Sequence, residues 1–127
     1  MNLKNTLKLE QLAMMLTALF LGIYLLEFKW WWYLIFILAP DISMLGYAIG
    51  TRVGAFFYNL FHHKGTAFLI FLLGYYLNEQ YLINNQYLMF AGIIILAHSS
   101  MDRIFGYGLK YDDDFKHTHL GMIGNKT

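Results

Sequence analysis

The sequence contains no cysteine and a single proline, Pro40, in 127 residues. The absence of cysteine excludes disulfide bonds, thiolate metal ligands and a cysteine nucleophile, and leaves the redox compartment undetermined. Charged residues make up 13% of the chain, whereas soluble domains carry about 25%. The net charge of +1 gives no reason to expect a nucleic-acid partner. No Walker-type, Gly-x-Ser-x-Gly or His-Glu-x-x-His motif is present, so the sequence does not carry those phosphate-binding or hydrolase signatures.

Apolar residues, which make up 58% of the chain, fall into four long segments. A soluble domain of this size could not hide so much apolar surface, because small domains bury only about two-thirds of what the unfolded chain exposes. About 20 helical residues cross the hydrocarbon of a bilayer, and each segment is long enough. We therefore predict an all-α integral membrane bundle that forms one domain over residues 1–127. Its four spans are predicted over residues 9–28, 30–50, 53–77 and 87–104, with a cytoplasmic tail over residues 105–127.

Two of the predicted spans contain helix-breaking residues. Pro40 removes a backbone donor and disfavours helix at Ala39, so the second span is expected to be kinked there. The third span contains the polar stretch His62–Gly65, which leaves open one long kinked helix or two short ones. The first apolar segment is not followed by a small-x-small cleavage site, so we expect it to be a retained span rather than a signal peptide.

Lysine and arginine residues predict the orientation of the bundle. With the N-terminus in the cytoplasm, seven of them fall on the inner side, and only Lys29 falls on the outer side. Lys64 lies within the third predicted span and is not counted. This bias predicts a multi-pass protein of the inner membrane with both termini in the cytoplasm. The seven inner residues are Lys4, Lys8, Arg52, Arg103, Lys110, Lys116 and Lys126.

Four of the titratable residues within the predicted spans, Asp41, His62, His98 and Asp102, call for an explanation, because a carboxylate at a helix centre costs roughly 2.5–3.5 kcal/mol. Asp41 and His62 each lie nine residues from the inner end of their span, and His98 lies six residues from its inner end. These separations correspond to about 13 Å and 9 Å along a helix. Asp102 follows His98 by four residues, so both lie on one helix face. We therefore expect one polar site in the cytoplasmic half of the bundle.

Imidazole and carboxylate groups at one depth are typical of two kinds of site. One is a metal centre, and the other is a catalytic base with the residue that orients it. The expected cofactor is a divalent zinc, manganese or iron ion. Arg103 and Lys110 are expected to hold an anionic group, and Gly106 allows the tail to fold back beneath the bundle. The predicted metal ligands are Asp41, His62, His98, Asp102 and His119. The predicted catalytic groups are Asp41, His98 and Asp102, and the predicted substrate-binding groups are Asn59, Arg103 and Lys110.

Each of these assignments has a structural alternative. His63 can replace His62, because both are on one face with Asn59. Asp41 can cap a half-helix after Pro40. His98 and Asp102 can form a hydrogen bond at the helix end, with a salt bridge from Asp102 to Arg103. These alternatives remain open at the level of the sequence.

Several short motifs occur in order between residues 9 and 124. They are Ala39-Pro40-Asp41, Ser43-Met44-Leu45-Gly46-Tyr47, Gly54-Ala55, Tyr58-Asn59 with His62, Ala97-His98, Met101-Asp102-Arg103, Gly106-Tyr107-Gly108-Leu109-Lys110-Tyr111, Phe115-Lys116 and Thr118-His119-Leu120-Gly121. Together they resemble the domain of unknown function 4260 family, which comprises small bacterial membrane proteins without an assigned activity. The resemblance implies a membrane location and one grouping of polar residues, and it implies no reaction. That grouping is Asp41, Asn59, His62, His98, Asp102, Arg103, Lys110 and His119.

Three classes of function are compatible with this pattern. The first is a metal-dependent, hydrolase-like site that acts on an anionic lipid or small molecule. The second is proton, ion or small-molecule transport without chemistry, since titratable residues within bundles mark such pathways. Four spans are few for a transporter, so this reading calls for a homo-oligomer. The third is a hydrogen-bonded network that only specifies packing. The expected partner in every case is the lipid bilayer.

Overall fold

The computed structural model describes residues 1–81 and 86–124, and these residues are mainly α-helical. A two-stranded antiparallel hairpin in the tail is the only sheet in this part of the chain. The predicted all-α class is confirmed. The helices are α1 (Leu3–Leu25), α2 (Trp30–Phe36), a 3-10 helix (Ala39–Ala48), α3 (Thr51–His62), α4 (Lys64–Tyr81) and α5 (Gln86–Phe105), and the strands are β1 (His117–Thr118) and β2 (Gly121–Met122).

Helix α5 lies at the centre of the bundle and packs along both α1 and α4. Gly92 allows the close approach of α4, because a Cβ atom at this position would lie 2.7 Å from the Ala67 carbonyl oxygen and 2.8 Å from the Phe71 nitrogen. Small residues at such crossings let helix backbones approach closely. On its other side, α5 joins a core with α1 and α2 that includes Ala18 and Tyr33.

The predicted third span is divided into two helices. Helix α3 ends at His62, His63 is extended with φ −92° and ψ 126°, and α4 begins at Lys64. The last carbonyl groups of a helix have no partner within that helix. The His62 carbonyl is therefore free to accept a hydrogen bond from the Ser99 hydroxyl at 2.8 Å.

In the predicted second span, an α-helix is followed by a 3-10 helix that begins just before Pro40. Helix α2 ends at Phe36, and the 3-10 helix begins at Ala39 with Pro40 in its first turn. A proline early in a helix removes a backbone N–H that would have no partner within the helix. The change leaves the Ile37 carbonyl oxygen to accept from a side chain of α5, as described below.

The tail folds back onto the 3-10 helix and α3. Gly106 adopts φ +90° directly after α5, in a region that glycine enters readily. The Asn59 side chain then binds the Lys110 backbone twice, accepting from its N–H and donating to its carbonyl, both at 2.7 Å. Arg52 forms an exposed ion pair with Asp112 at 3.6 Å. The tail therefore covers the end of the molecule that carries α3.

Three helical segments of the described residues are long and apolar enough to cross a membrane. They are Leu3–Leu25, Trp30–Ala48 and Gln86–Phe105. In the first two segments only 11% of the most apolar window is buried within the protein. An apolar surface left so exposed requires a non-aqueous environment or a partner. Part of the predicted polar connection over residues 78–86, namely residues 82–85, lies outside the described residues, as does Lys126.

We predict that Gly92→Ala will destabilise the bundle. The methyl group would meet backbone atoms of α4, which cannot rotate away, and overpacking of this kind costs roughly 1–3 kcal/mol. The helix propensity of alanine recovers up to about 1 kcal/mol of this loss. Thermal unfolding in detergent should therefore show a lower midpoint. Gly50→Ser is the control, because no atom lies within 4 Å of a Cβ there and serine is a good N-cap. Equal stability of Gly92→Ala and wild type would contradict the described packing of α4 against α5.

Candidate metal centre

Four side chains from three helices converge on one small volume. They are Asp41, His62, His98 and Asp102, called the His/Asp cluster below, and one ligand atom from each lies within 4.8 Å of the others. Both histidine side chains are fully buried, and the Asp102 side chain is 12% exposed. The Asp41 side chain is 35% exposed. The grouping expected from residue depth is therefore present in the structure, with Asp41 on its accessible side.

Backbone carbonyl groups orient both imidazole rings of the cluster. The Nδ1 atom of His62 lies 2.7 Å from the Tyr58 oxygen, and the Nδ1 atom of His98 lies 2.6 Å from the Ile37 oxygen. A carbonyl oxygen only accepts, so each Nδ1 carries the proton and donates it. In the neutral ring Nε2 then keeps its lone pair. A backbone partner on the far nitrogen is the usual support of a metal-ligating histidine.

The two Nε2 atoms face each other and the carboxylate oxygens. They lie 3.0 Å apart, and each lies 3.1 Å from the Asp41 Oδ1 atom. Two N–H groups cannot both point across a gap of that length, so at most one Nε2 can be protonated toward the other. Two carboxylates in the same buried volume would repel each other as ions. The cluster is thus a set of electron-pair donors that either a divalent cation or a proton on one Nε2 atom can join.

The spacing of the donor atoms fits a first-row divalent cation. The Asp102 Oδ2 atom lies 3.6 Å from His62 Nε2 and 3.3 Å from His98 Nε2, so the known edges run from 3.0 to 3.6 Å. A tetrahedral zinc ion with bonds of about 2.0–2.1 Å separates its ligands by about 3.3–3.4 Å. An octahedral ion with bonds of about 2.1 Å separates adjacent ligands by about 3.0 Å. Five of the six donor separations are thus close to the edges of either geometry, and the sixth, between the Asp41 and Asp102 oxygens, lies within 4.8 Å.

Tyr58 supports the cluster from α3, and residue depth in the sequence did not identify it. Its hydroxyl donates to the Asp102 Oδ2 atom at 3.2 Å, and its ring stacks on His62 with centroids 3.8 Å apart. The signal in the sequence is its position four residues before His62, on the same helix face. Tyr58 therefore holds one carboxylate and one imidazole in place at once.

Lys110 was predicted to bind substrate, and the structure places its side chain inside an aromatic cage. Its ammonium donates to the Phe115 carbonyl at 2.8 Å and lies 3.3 Å from the centre of that ring and 4.7 Å from the centre of the Tyr58 ring. Burial lowers the pKa of Lys110, while the negative charges of Asp102 and Asp41 act in the opposite direction. Lys110 therefore contributes a buried positive charge behind the cluster.

Asn59, Arg103 and His119 lie around the cluster and do not belong to it. Both ends of the Asn59 amide are used by the Lys110 backbone. Arg103 donates to the Tyr107 carbonyl at 2.9 Å and approaches the His62 carbonyl at 3.4 Å. The His119 Nδ1 atom accepts from the Leu109 N–H at 2.8 Å.

The structure distinguishes the two adjacent histidines of the third predicted span. His62 has no exposed surface and points a ring nitrogen at the cluster. His63 is exposed and lies at the break between α3 and α4. The cluster therefore contains His62, and His63 offers a neighbouring histidine outside it for comparison.

The chain matches one family of known sequences. A model of the family described as domain of unknown function (DUF4260) matches residues 4–123, which is nearly the whole chain. This match confirms the family resemblance found in the motifs. Neither a curated protein nor a solved structure matches the chain.

We predict that mild acid will weaken the docking of the tail on the bundle through His119. Partial burial lowers the pKa of His119, and the positive charge of Arg103 lowers it further. In the released tail, His119 has its ordinary pKa of about 6.5 and therefore binds the proton more tightly than it does in the docked tail. Docking should be fully favourable above about pH 6.5 and should weaken as the pH falls toward the lowered pKa.

Hydrogen exchange at the Leu109 amide, corrected for the intrinsic exchange rate, measures the opening of the Leu109–His119 hydrogen bond in the folded tail. Protection should fall in the wild type as the pH drops below about 6.5. It should change much less in His119→Asn, which keeps an acceptor and does not titrate. His63→Asn, outside the tail, should behave like the wild type. A pH response that persists in His119→Asn would assign the transition to another group.

Proposed function

The chain belongs to the DUF4260 family, whose function is unknown, and we propose from the geometry of the His/Asp cluster that it is an integral membrane protein with a divalent-metal centre of the hydrolase type. The observation that carries this proposal is the convergence of four donor atoms within 4.8 Å, two of them imidazole nitrogens whose other nitrogen is bound to a carbonyl. Zinc, manganese and iron all accept imidazole and carboxylate ligands.

Three cluster members are suited to hold the metal, and the fourth is suited to work at its open side. His62, His98 and Asp102 are buried, which favours permanent ligands. Catalytic zinc sites commonly use three protein ligands and leave one position open. Asp41 is the accessible member, so it can bind the metal or act as a base toward a water molecule. When bound, a divalent ion supplies polarisation of a carbonyl or phosphoryl oxygen and a more acidic water.

The membrane arrangement that we propose has four crossings and both termini in the cytoplasm. Three crossings are the segments long and apolar enough to span, namely α1, the segment of α2 and the 3-10 helix with a bend at Pro40, and α5. We propose α4, which is not among those three segments, as the fourth. Helix α3 has 12 residues, about 18 Å, which is too short to cross. It returns from the inner end of the 3-10 helix to the cluster. The 1–127 chain then forms one membrane domain with an inner tail.

An anionic substrate fits the location of the cluster. The cluster lies toward the end of the bundle that carries Arg52, Arg103 and the folded tail, which is the cytoplasmic end by the charge bias. Anionic lipids or small anions in the inner leaflet would reach Asp41 from the bilayer side or from the cytoplasm. The lipid bilayer itself is the permanent partner, and a homo-oligomer is compatible with the exposed apolar helices.

A purely structural network is a weaker account of the same residues. Such a network is stable when its donors match its acceptors. In the His/Asp cluster both Nδ1 protons are already committed to carbonyl groups, so the donors left for the facing acceptors are the Tyr58 hydroxyl and a proton on one Nε2 atom. Transport of protons through this site would require the cluster to work without a fixed metal, which the first experiment below tests.

We predict that the protein purified in detergent without chelators carries about one equivalent of zinc, manganese or iron per chain. His98→Ala should reduce the bound metal at least tenfold, because it removes a fully buried ligand. His63→Ala is the matched control, since His63 is exposed and outside the cluster. Elemental analysis by mass spectrometry, with circular dichroism to verify folding, provides the measurement.

Two results would contradict the metal centre. One is a folded wild-type protein that holds no metal and takes none up from solution. The other is equal metal content in His98→Ala and His63→Ala. Metal-free protein that conducts protons in liposomes, with flux abolished in Asp41→Asn, would instead support the transport function.

We predict that Asp41→Asn separates chemistry from metal binding. Asparagine keeps an oxygen at this position but is not a base, so the metal content should stay within about twofold of wild type. Hydrolysis of bis(p-nitrophenyl) phosphate or p-nitrophenyl butyrate by the metal-loaded protein should fall about 100-fold, the usual scale for loss of a general base. A variant that hydrolyses these probes as fast as wild type would remove Asp41 from the catalytic role.

A further inference from the structure

A second polar site lies between the start of α1 and the tail. This cavity, of about 770 Å³, is lined by Lys4 and Lys8 of α1, by Arg103 of α5 and by His119 of the tail, together with Leu7, Gln11 and residues 105–107 and 120–124. We call it the basic pocket. No member of the His/Asp cluster lines it, so it is distinct from the metal centre.

The basic pocket concentrates positive charge, and the carboxylates that act on its cations, Asp102 on Arg103 and Glu10 on Lys64, do not line it. Three residues of fixed positive charge line it, and none of its lining residues is Asp or Glu. Lys4, Lys8 and Arg103 form no ion pair with a carboxylate in the part of the chain that the structure describes. A concave surface that carries charge of one sign raises the local concentration of ions of the opposite charge. The charge of the pocket therefore selects an anion.

The helix geometry brings these cations together rather than spreading them over the surface. Lys4 and Lys8 are four residues apart and lie on one face of α1, and Gln11 continues that face one turn later. The Gln11 side-chain oxygen accepts from Lys64 Nζ. A fourth cation is thus placed against the pocket wall, and the Gln11 amide retains its N–H groups for a ligand.

Arg103 is held in place with donors left over. Two of its nitrogens contact the Tyr107 and His62 carbonyl oxygens at 2.9 Å and 3.4 Å. A guanidinium has five N–H groups in a planar fork, so others remain for a bidentate contact. The neutral ring of His119 accepts at Nδ1 from Leu109 and therefore carries a proton on Nε2. The pocket offers oriented neutral donors beside its charged groups.

We infer that the basic pocket binds a phosphate group, with the two α1 lysines and Arg103 on its oxygens and His119 as an added donor. A planar arginine fork with lysine point charges is the combination that suits phosphate oxygens. The phosphate can belong to a lipid headgroup at the inner leaflet or to a soluble anion, and the chemistry is the same. This inference stands independently of the metal centre, because no cluster residue takes part.

The test compares phosphate binding by the wild-type protein, a pocket variant and a control variant. In the soluble arm, isothermal titration measures the binding of inorganic phosphate in a neutral detergent. The lipid arm uses native mass spectrometry of protein released from nanodiscs. The nanodiscs contain phosphatidylcholine with or without about 20% phosphatidic acid, an anionic lipid that attracts basic segments. The pocket variant is the double substitution K4Q/K8Q, whose sites are exposed or half-buried and do not touch the cluster. The control is K116Q, an exposed lysine of the tail that does not line the pocket.

We expect K4Q/K8Q to weaken phosphate binding at least tenfold and K116Q to change it by less than about twofold. Binding in the soluble arm identifies a free phosphate ligand, and retention of phosphatidic acid alone identifies a lipid headgroup. No binding in either arm, or equal loss in K4Q/K8Q and K116Q, would overturn the inference.

Both arms are repeated after removal of metal with EDTA. Phosphate binding that disappears with the metal would place the anion on the metal centre and would also overturn it.

The metal content of the same samples keeps the two claims separable. K4Q/K8Q should retain the metal of the wild-type protein while losing phosphate. A wild-type protein without metal that still binds phosphate through Lys4 and Lys8 would contradict the metal centre and leave the basic pocket intact.

Discussion

The fold depends on how two imidazole rings are oriented inside an apolar bundle. Each ring donates its Nδ1 proton to a backbone carbonyl, from Tyr58 in one case and from Ile37 in the other. The opposite nitrogens then meet at 3.0 Å beside two carboxylates. Buried polar atoms must find partners, and acceptors cannot satisfy one another. A divalent cation would resolve this conflict, as would a proton on one Nε2 atom, and the cation that we propose would also supply the chemistry of the site.

The irregular parts of the fold make this orientation available. The Ile37 carbonyl that receives the His98 proton lies at the change from α2 to the 3-10 helix, and the same 3-10 helix carries Asp41. At the second break, the His62 carbonyl is free to accept from Ser99 and lies near Arg103. Non-helical backbone at membrane depth is tolerated where it is buried in protein. Both interruptions lie next to cluster residues, and both direct backbone oxygens toward polar side chains of α5.

Residue depth and helix spacing predicted the grouping of the cluster, because the positions of charged residues in apolar segments are strongly constrained. The separation of α3 from α4 was one of two readings of the His62–Gly65 stretch. Other features depend on side-chain direction, which spacing alone does not determine. Lys110 turns into an aromatic cage, and Tyr58 reaches Asp102 across helices. The basic pocket is lined both by the start of α1 and by the tail, about 110 positions apart in the sequence, and no local pattern encodes that arrangement.

X-ray absorption at the metal edge of the detergent-purified protein tests the central claim most directly. The account predicts a first shell of nitrogen and oxygen at about 2.0–2.1 Å, with the outer-shell scattering of two imidazole rings that is reduced in His62→Ala. Four scatterers would indicate the tetrahedral form, and six would indicate the octahedral form. A protein without metal, or a metal surrounded by oxygen with no imidazole scattering, would contradict the assignment of the His/Asp cluster.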